Sequence, residues 1–284
     1  MFNNSLKNQA LYIHENTVEQ YNASYKKMTS SCEQLYSARV SAIACIEIIT
    51  EVINSIASKP KEFETTMGKV ISNLQTFRET KEYAQKAYSA SVKSGVSAAS
   101  GVAAGAGIAT MAPTAMMSIA TTFGTASTGT AISALSGAVA QKAAVAWIGR
   151  TFASFAVAEG TAGMAAGNAF LALAGPIGWG IAAASTGLSA ISLSRKNKKI
   201  SQDAVEEAKT MAKAREQLDE LTVKINALKD KTIVLTNDLN MQNTKMSALK
   251  GSCFPALSEA DKLYLGSLVN NTFSLSVLIT QKVE

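Results

Sequence analysis

Few side chains in this chain could carry chemistry, and their spacing does not assemble them. His14 is the only histidine, so no Ser-His-Asp or Cys-His arrangement and no multi-histidine metal site can be built. The three cysteines, Cys32, Cys45 and Cys253, are odd in number and lack metal-ligand or redox spacing. If one helix carries Cys32 and Cys45, they lie roughly 20 Å apart and cannot pair; buried, reduced thiols are expected. "GAGIAT" at 105–110 begins like a dinucleotide loop but lacks the third glycine, a preceding strand and a later acid. It also lacks the Gly-Lys-Ser/Thr of a phosphate loop. Glu159 is the one acid in a long apolar stretch, where a structural and a functional ion pair with Lys142 or Arg150 are both open. The expectation is a protein that is not an enzyme, with no catalytic, cofactor or metal residues, doing physical work.

Composition narrows the kind of work. Of 284 residues, 47% are hydrophobic but only 6% aromatic, so the apolar mass is Ala, Val, Ile and Leu. A mean hydropathy of +0.11 is high for a soluble protein and low for a polytopic membrane protein. The net charge of +6 favours anionic surfaces. It is too small and diffuse, and too poorly interleaved with aromatics, for nucleic-acid binding. The start, "MFNNSLKNQALYIHENT", lacks the basic-then-apolar order of a secretory signal. Synthesis in the cytosol is expected, followed by retention or non-classical export and membrane association.

The elements that must do this work fall into three parts. Fifteen of the 18 glycines lie between Gly95 and Gly187, and from Ser94 to Ser194 the only charges are Lys142, Arg150 and Glu159. The divisions are therefore 1–93, an N-terminal helical arm; 94–194, a Gly/Ala-rich hydrophobic head; and 195–284, a C-terminal coiled-coil arm with a terminal helix. In the first arm Val40, Ile43, Ile46, Ile49, Val52, Ile53 and Ile56 follow helical steps. Pro60 ends that run, and a second begins through Phe63, Met67, Val70, Leu74, Phe77 and Tyr88. In the last arm Leu218, Leu221, Ile225, Leu228, Thr232, Leu235 and Leu239 alternate steps of three and four, a heptad seam with one polar interruption. A helix over 195–250 would be on the order of 80 Å long, ending at "GSCFP". "SEAD" at 258–261 is a variant capping box opening a last helix, with Leu263, Leu268 and Leu275 facing inward. The seam needs a partner, and the N-terminal arm packed antiparallel to it supplies one. The expected fold is all-α: an elongated antiparallel helical bundle or coiled coil with a hydrophobic helical head inserted between two arms.

The head contains uncharged runs over 94–141 and 160–194, each long enough to span a bilayer. Ser, Thr and Gly dilute their hydropathy, which suits a segment able to live in two environments. Gly101 and Gly105, and Gly163 and Gly167, form GxxxG spacings that let helix backbones approach closely. Gly175 and Pro176 mark a hairpin turn. Trp147 and Trp179 suit either a membrane interface or a soluble core. Because both arms stay in water, any crossing must occur an even number of times. Lys86 and Lys93 flank one end of the insert, and Arg195, Lys196, Lys198 and Lys199 the other, as expected for ends near anionic head groups on one side. A solvated helix start accounts for the second cluster equally well.

This layout of helical arm, apolar insert and helical arm resembles the alpha-helical pore-forming toxins of the cytolysin A and haemolysin BL type. The resemblance spans the chain in architecture and rests on no diagnostic motif. "AQKAAVAWIGR" and the stretch over 163–200 also resemble segments of uncharacterised bacterial coiled-coil proteins with glycine-rich apolar centres. The toxin resemblance implies a soluble form that exposes the head, inserts it into a lipid bilayer, anionic lipid included, and assembles as a homo-oligomer or with companion components. An insert of about 100 residues exceeds a simple hairpin, which leaves part of it for a helical core. Two other readings stay open: a soluble coiled-coil scaffold that binds a partner, and an intracellular effector that permeabilises its own cell's membrane in defence.

Overall fold

The computed structural model describes residues 2–93, 113–123 and 190–283. Among these residues the fold is all-α, with one isolated bridge, Ala57–Cys253, as the only extended pairing. The helices are α1 (Phe2–Ser55), α2 (Lys61–Lys93), α3 (Pro113–Phe123), α4 (Ala190–Met241), α5 (Asn243–Ala248) and α6 (Glu259–Thr280), with a 3-10 turn at Phe254–Ala256. The chain divides into two compact units, each drawing on both arms and on the insert. One comprises Met1–Thr29, Ala87–Ala112 and Leu135–Thr222, the other Ser30–Lys86, Pro113–Ala134 and Val223–Glu284.

In the first unit, α1 buries Ala10, His14, Tyr21, Ser24 and Met28, while α4 buries Ala204, Ala208, Met211, Leu218, Leu221 and Thr222. Small residues recur at these buried positions, which favours close approach of helices. Arg215 donates to the Gln20 side chain across the two elements.

In the second unit, the stripe on α1 runs Leu35, Ala38 and Arg39, Ala42, Cys45 and Ile46, Ile49, Val52 and Ile53, Ile56. These are steps of three and four, the spacing that keeps one helical face inward. Ile46, Ile49, Val52, Ile53 and Ile56 are buried as expected, but Val40 is exposed and Ile43 half-buried, because Arg39 and Ala42 take the inward positions there. Ser58 adopts a positive φ of 54° just before Pro60, which turns the chain into α2. Met67, Val70, Leu74 and Phe77 complete the α2 face; the Tyr88 side chain lies outside the described residues.

Helix directions follow from the pairings. The short link 56–60 joins α1 to α2, and Glu47 with Arg78 and the stacked rings of Tyr36 and Phe77 show the two helices packed together, which after so tight a turn makes them antiparallel. Lys229 reaches Gln34 and Lys250 reaches Glu51, so the partners advance together and α4 with its continuation runs parallel to α1. The antiparallel packing expected between the N-terminal arm and the seam therefore does not hold for α1; within that arm it is α2 that runs opposite to α4. Helix α2 already makes the return journey, so the next long helix starts from the end where α1 starts. Lys69 over Phe273 and Asn73 with Ser276 align α6 with α2.

The long C-terminal helix ends at Met241, not at Lys250. Gln242 interrupts it, and Tyr264 donates to the Gln242 carbonyl. Gly251 then turns with φ +77°, a conformation that side chains disfavour, and its N–H reaches Ser55. Ser258 caps α6 by accepting from the Asp261 N–H, and its hydroxyl donates to the Asp261 carboxylate. Ser258 thus caps the helix expected to open at "SEAD", but the acid bonds the cap hydroxyl in place of the reciprocal backbone bond of a capping box. Leu268 and Leu275 face inward as expected, but Leu263 is 73% exposed. Leu265, Val269 and Ile279 take the inner positions with them. Almost every turn of α6 carries apolar residues on several sides, so the sequence pattern defines no single stripe.

Candidate functional site: the docked insert helix

Of the insert, the structure describes α3 and the first residues of α4, 190–194; α3 belongs to the second unit, where its C-terminal half is buried. Pro113 opens it, at a position where the missing N–H costs nothing. Eleven residues make a marginal helix in water, so packing must hold it. Ala115 is buried, and from Ser118 to Phe123 every residue is buried. Six consecutive buried positions exceed one turn, so the C-terminal half is enclosed on all sides. Burial of Ile119 and Phe123 alone contributes about 3–6 kcal/mol.

The polar groups of α3 divide into two sets. Its three buried hydroxyls donate within the helix: Ser118 to Ala115 O at 2.8 Å, Thr121 to Met117 O at 2.9 Å and Thr122 to Ser118 O at 2.7 Å. Such back-bonded hydroxyls need no partner from outside. The last-turn carbonyls have no helical donor, and here other elements supply it. Arg39 Nη1 donates to Thr121 O at 2.8 Å, Lys282 Nζ approaches the same oxygen at 3.4 Å, and Val283 N donates to Thr122 O at 3.0 Å.

Arg39 is 0% exposed, and the structure gives it no carboxylate partner among the described residues. Its second amino group donates to Gln281 O, at the C-cap of α6. Two helix C-termini therefore converge on one guanidinium. Each carries a partial negative charge of about half a unit, so the pair offsets roughly one cation. Nε finds no hydrogen-bond acceptor among the described residues. Burial lowers the pKa of Arg39, while the neighbouring Cys32 pulls it back upward.

Cys32 lies beside this centre. Burial pushes its thiol up to about 12, against the opposing pull of a Thr122 side-chain hydrogen bond and the Arg39 charge. The group is a neutral thiol and supplies no counter-charge. Lys282 is pushed down to about 8, by burial first and by Arg39 second. Cys45 is buried, with its thiol raised to about 11, and Cys253 is exposed.

The residues singled out in the sequence are distributed unevenly. Gly101, Gly105, Trp147, Gly163, Gly167, Gly175, Pro176 and Trp179 lie outside the described residues. Lys93 closes α2, and Arg195 and Lys196 lie in the opening turns of α4, where Lys198 and Lys199 are exposed. Along α4, Leu218 and Leu221 are buried in the first unit, and Ile225, Leu228 and Leu239 in the second, where Leu235 is half-buried. Thr232 is buried in the same row and donates to Leu228 O at 2.8 Å. Arg39, Lys282 and the α3 carbonyls escaped the sequence reading. The available signal was Arg39 itself, a charge standing on the stripe between Leu35 and Ala42.

Among the described residues no group of three His, Cys, Asp or Glu side chains could hold a metal ion. One described helix, Glu259–Thr280, is long and apolar enough to cross a membrane by length and composition, but its inner face belongs to the core of the second unit. Comparison with protein-family models, curated proteins and solved structures finds no match.

Proposed function

We propose that this protein inserts into membranes and forms pores: it is stored with the 94–194 head folded against the arms, and converts by exposing that head to lipid. The observation that carries this reading is the character of α3. Its hydroxyls are internally bonded, so its face can leave a protein core for hydrocarbon without stranding side-chain donors. Its polar ties to other elements, among the described residues, gather at its last turn. The two long uncharged runs of the head, with their GxxxG spacings, supply spanning length and a means of helix pairing. The architectural resemblance to helical pore-forming toxins points the same way.

Transfer of apolar area into lipid supplies about 25 cal/mol per Å². Since the stored form already buries part of that area, the net drive comes from newly shielded surface and from assembly of copies or companion components. The basic residues flanking the head make an anionic bilayer the preferred target. The same mechanism serves a secreted toxin component or an effector acting within the producing cell.

Burial of α3 also favours a second reading, a soluble scaffold whose insert is a permanent helical core. Dye-filled vesicles distinguish the two. Purified protein should release dye from phosphatidylglycerol-containing vesicles more readily than from phosphatidylcholine vesicles, and Gly163→Ile with Gly167→Ile should weaken release. Absence of both binding and release between pH 5 and pH 8 would leave the scaffold reading standing.

A further inference from the structure

We infer that Arg39 and the segment Gln281–Val283 form a strap that holds α3 in its docked position, and that opening this strap is the step that frees the helix. Four contacts make the strap. Arg39 bridges Thr121 O and Gln281 O, and so joins the ends of α3 and α6 through one guanidinium. Val283 N donates to Thr122 O at 3.0 Å, and Lys282 Nζ lies 3.4 Å from Thr121 O. Val283 is itself buried, 8% exposed, so the segment after α6 lies folded in over the helix end.

The arrangement differs from an ordinary helix cap in what it joins. Thr121 and Arg39 are 82 positions apart, and Arg39 and Gln281 are 242 apart. An α3 that moves away leaves Arg39 with fewer acceptors in a buried site where Nε already has none. Charged groups stranded in this way are costly, so docking and strap closure are cooperative. The face of α3, by contrast, is held mainly by apolar packing, with hydroxyls bonded within the helix and the Cys32–Thr122 side-chain hydrogen bond close to the strap. The strap is therefore where a small change has the largest effect on docking. Its consequence for membranes rests on the proposed function; the strap itself does not.

The test uses the full chain with Arg39→Gln and, separately, Val283→Pro, which deletes the N–H that bonds Thr122 O. Hydrogen exchange is read over 113–123 and over 265–276, alongside alkylation of Cys32, the thiol beside Thr122. Circular dichroism verifies folding, and Val283→Pro carries the test if Arg39→Gln does not fold. Exchange of 113–123 should accelerate at least tenfold, Cys32 alkylation should rise with it, and 265–276 should keep its protection. Unchanged exchange of 113–123 would overturn the strap, as would equal acceleration of both segments, which marks general loosening. The folded variants are then added to phosphatidylglycerol vesicles. Faster exchange with no increase in dye release upholds the strap and counts against the membrane reading alone.

Discussion

Helices α3 and α6 are both apolar, both rich in self-bonded hydroxyls, and both end at Arg39, yet they are attached to the second unit in different ways. Helix α6 is tied along its whole length. Ser258 caps its start, Lys245 pairs with Asp261, Tyr264 donates to Gln242 O, Asn73 donates to Ser276, and Arg39 takes Gln281 O. The described polar ties of α3 to other elements gather at its last turn. A helix tied at many points leaves only when the unit unfolds, whereas one tied at a single end can leave by itself. Length and composition alone do not describe how α6 is held, because it has the dimensions of a membrane span while its surroundings make it a core helix.

The largest effect expected is on α6. Leu268 is 1% exposed within the core, and Leu268→Ala should cost about 2–5 kcal/mol through lost burial and the cavity left behind. Because α6 is tied throughout, that loss should appear in full in urea unfolding, with α2 and α6 losing exchange protection together. A loss confined to α6 would break the contrast with α3, since it would show that α6 also opens locally.

Phe123→Ala sharpens the comparison from the other side. Truncating a buried phenylalanine ordinarily costs about 3–5 kcal/mol, and Phe123 is 4% exposed. In α3 the loss to the whole unit is capped at the docking free energy, because beyond that point the helix undocks. The expected result is a smaller shift in the urea midpoint than Leu268→Ala produces. Exchange over 113–123 should lose most of its protection while that over 265–276 is nearly unchanged. A full-sized global loss, shared by both segments, would place α3 in the same cooperative block as α6.

The sequence made the arms legible for a physical reason. A helix with one wet and one dry face must repeat at three and four residues, so the seam from Leu218 to Leu239 and the break at Pro60 could be read directly. Errors entered where that constraint relaxes. Leu263 is exposed on a helix that is apolar on several faces, and Val40 is exposed because Arg39, a charged residue, takes the inward position beside it, while Ile46 to Ile56 keep the expected stripe. The relative direction of α1 and α4 depends on how many helices intervene in space, which no local pattern records. The site was less legible than the fold. Arg39 stands where the stripe predicts an apolar residue, and its partners are backbone carbonyls, which every residue carries and no sequence marks. The segment 281–283 carries no motif, and its contacts are to Thr121 and Thr122, about 160 positions earlier.

The smallest predicted effect tests the charge at the shared end of the two helices. Lys282 ordinarily titrates at 10.5 and is brought down to about 8 by burial and by Arg39. The unfolded chain therefore holds this proton up to about 10.5, whereas the folded chain releases it near 8. Between those values the unfolded state binds more protons, so this group makes stability rise with pH. From pH 9 upward the buried thiols act in the opposite sense. Cys32 and Cys45 ordinarily ionise at 9.0 and are raised to about 12 and about 11, so their contribution falls as pH increases. The useful window is thus pH 7.5 to 9, where the Lys282 contribution changes by about 1 kcal/mol. Lys282→Met removes that term and leaves both thiols in place. Its stability relative to the parent chain should be most favourable at pH 7.5, and the difference should shrink by about that amount at pH 9, read from paired urea midpoints. A difference that stays flat across the window would mean that Lys282 is solvated and takes no part in closing α3, leaving the strap to Arg39 and the Val283 N–H.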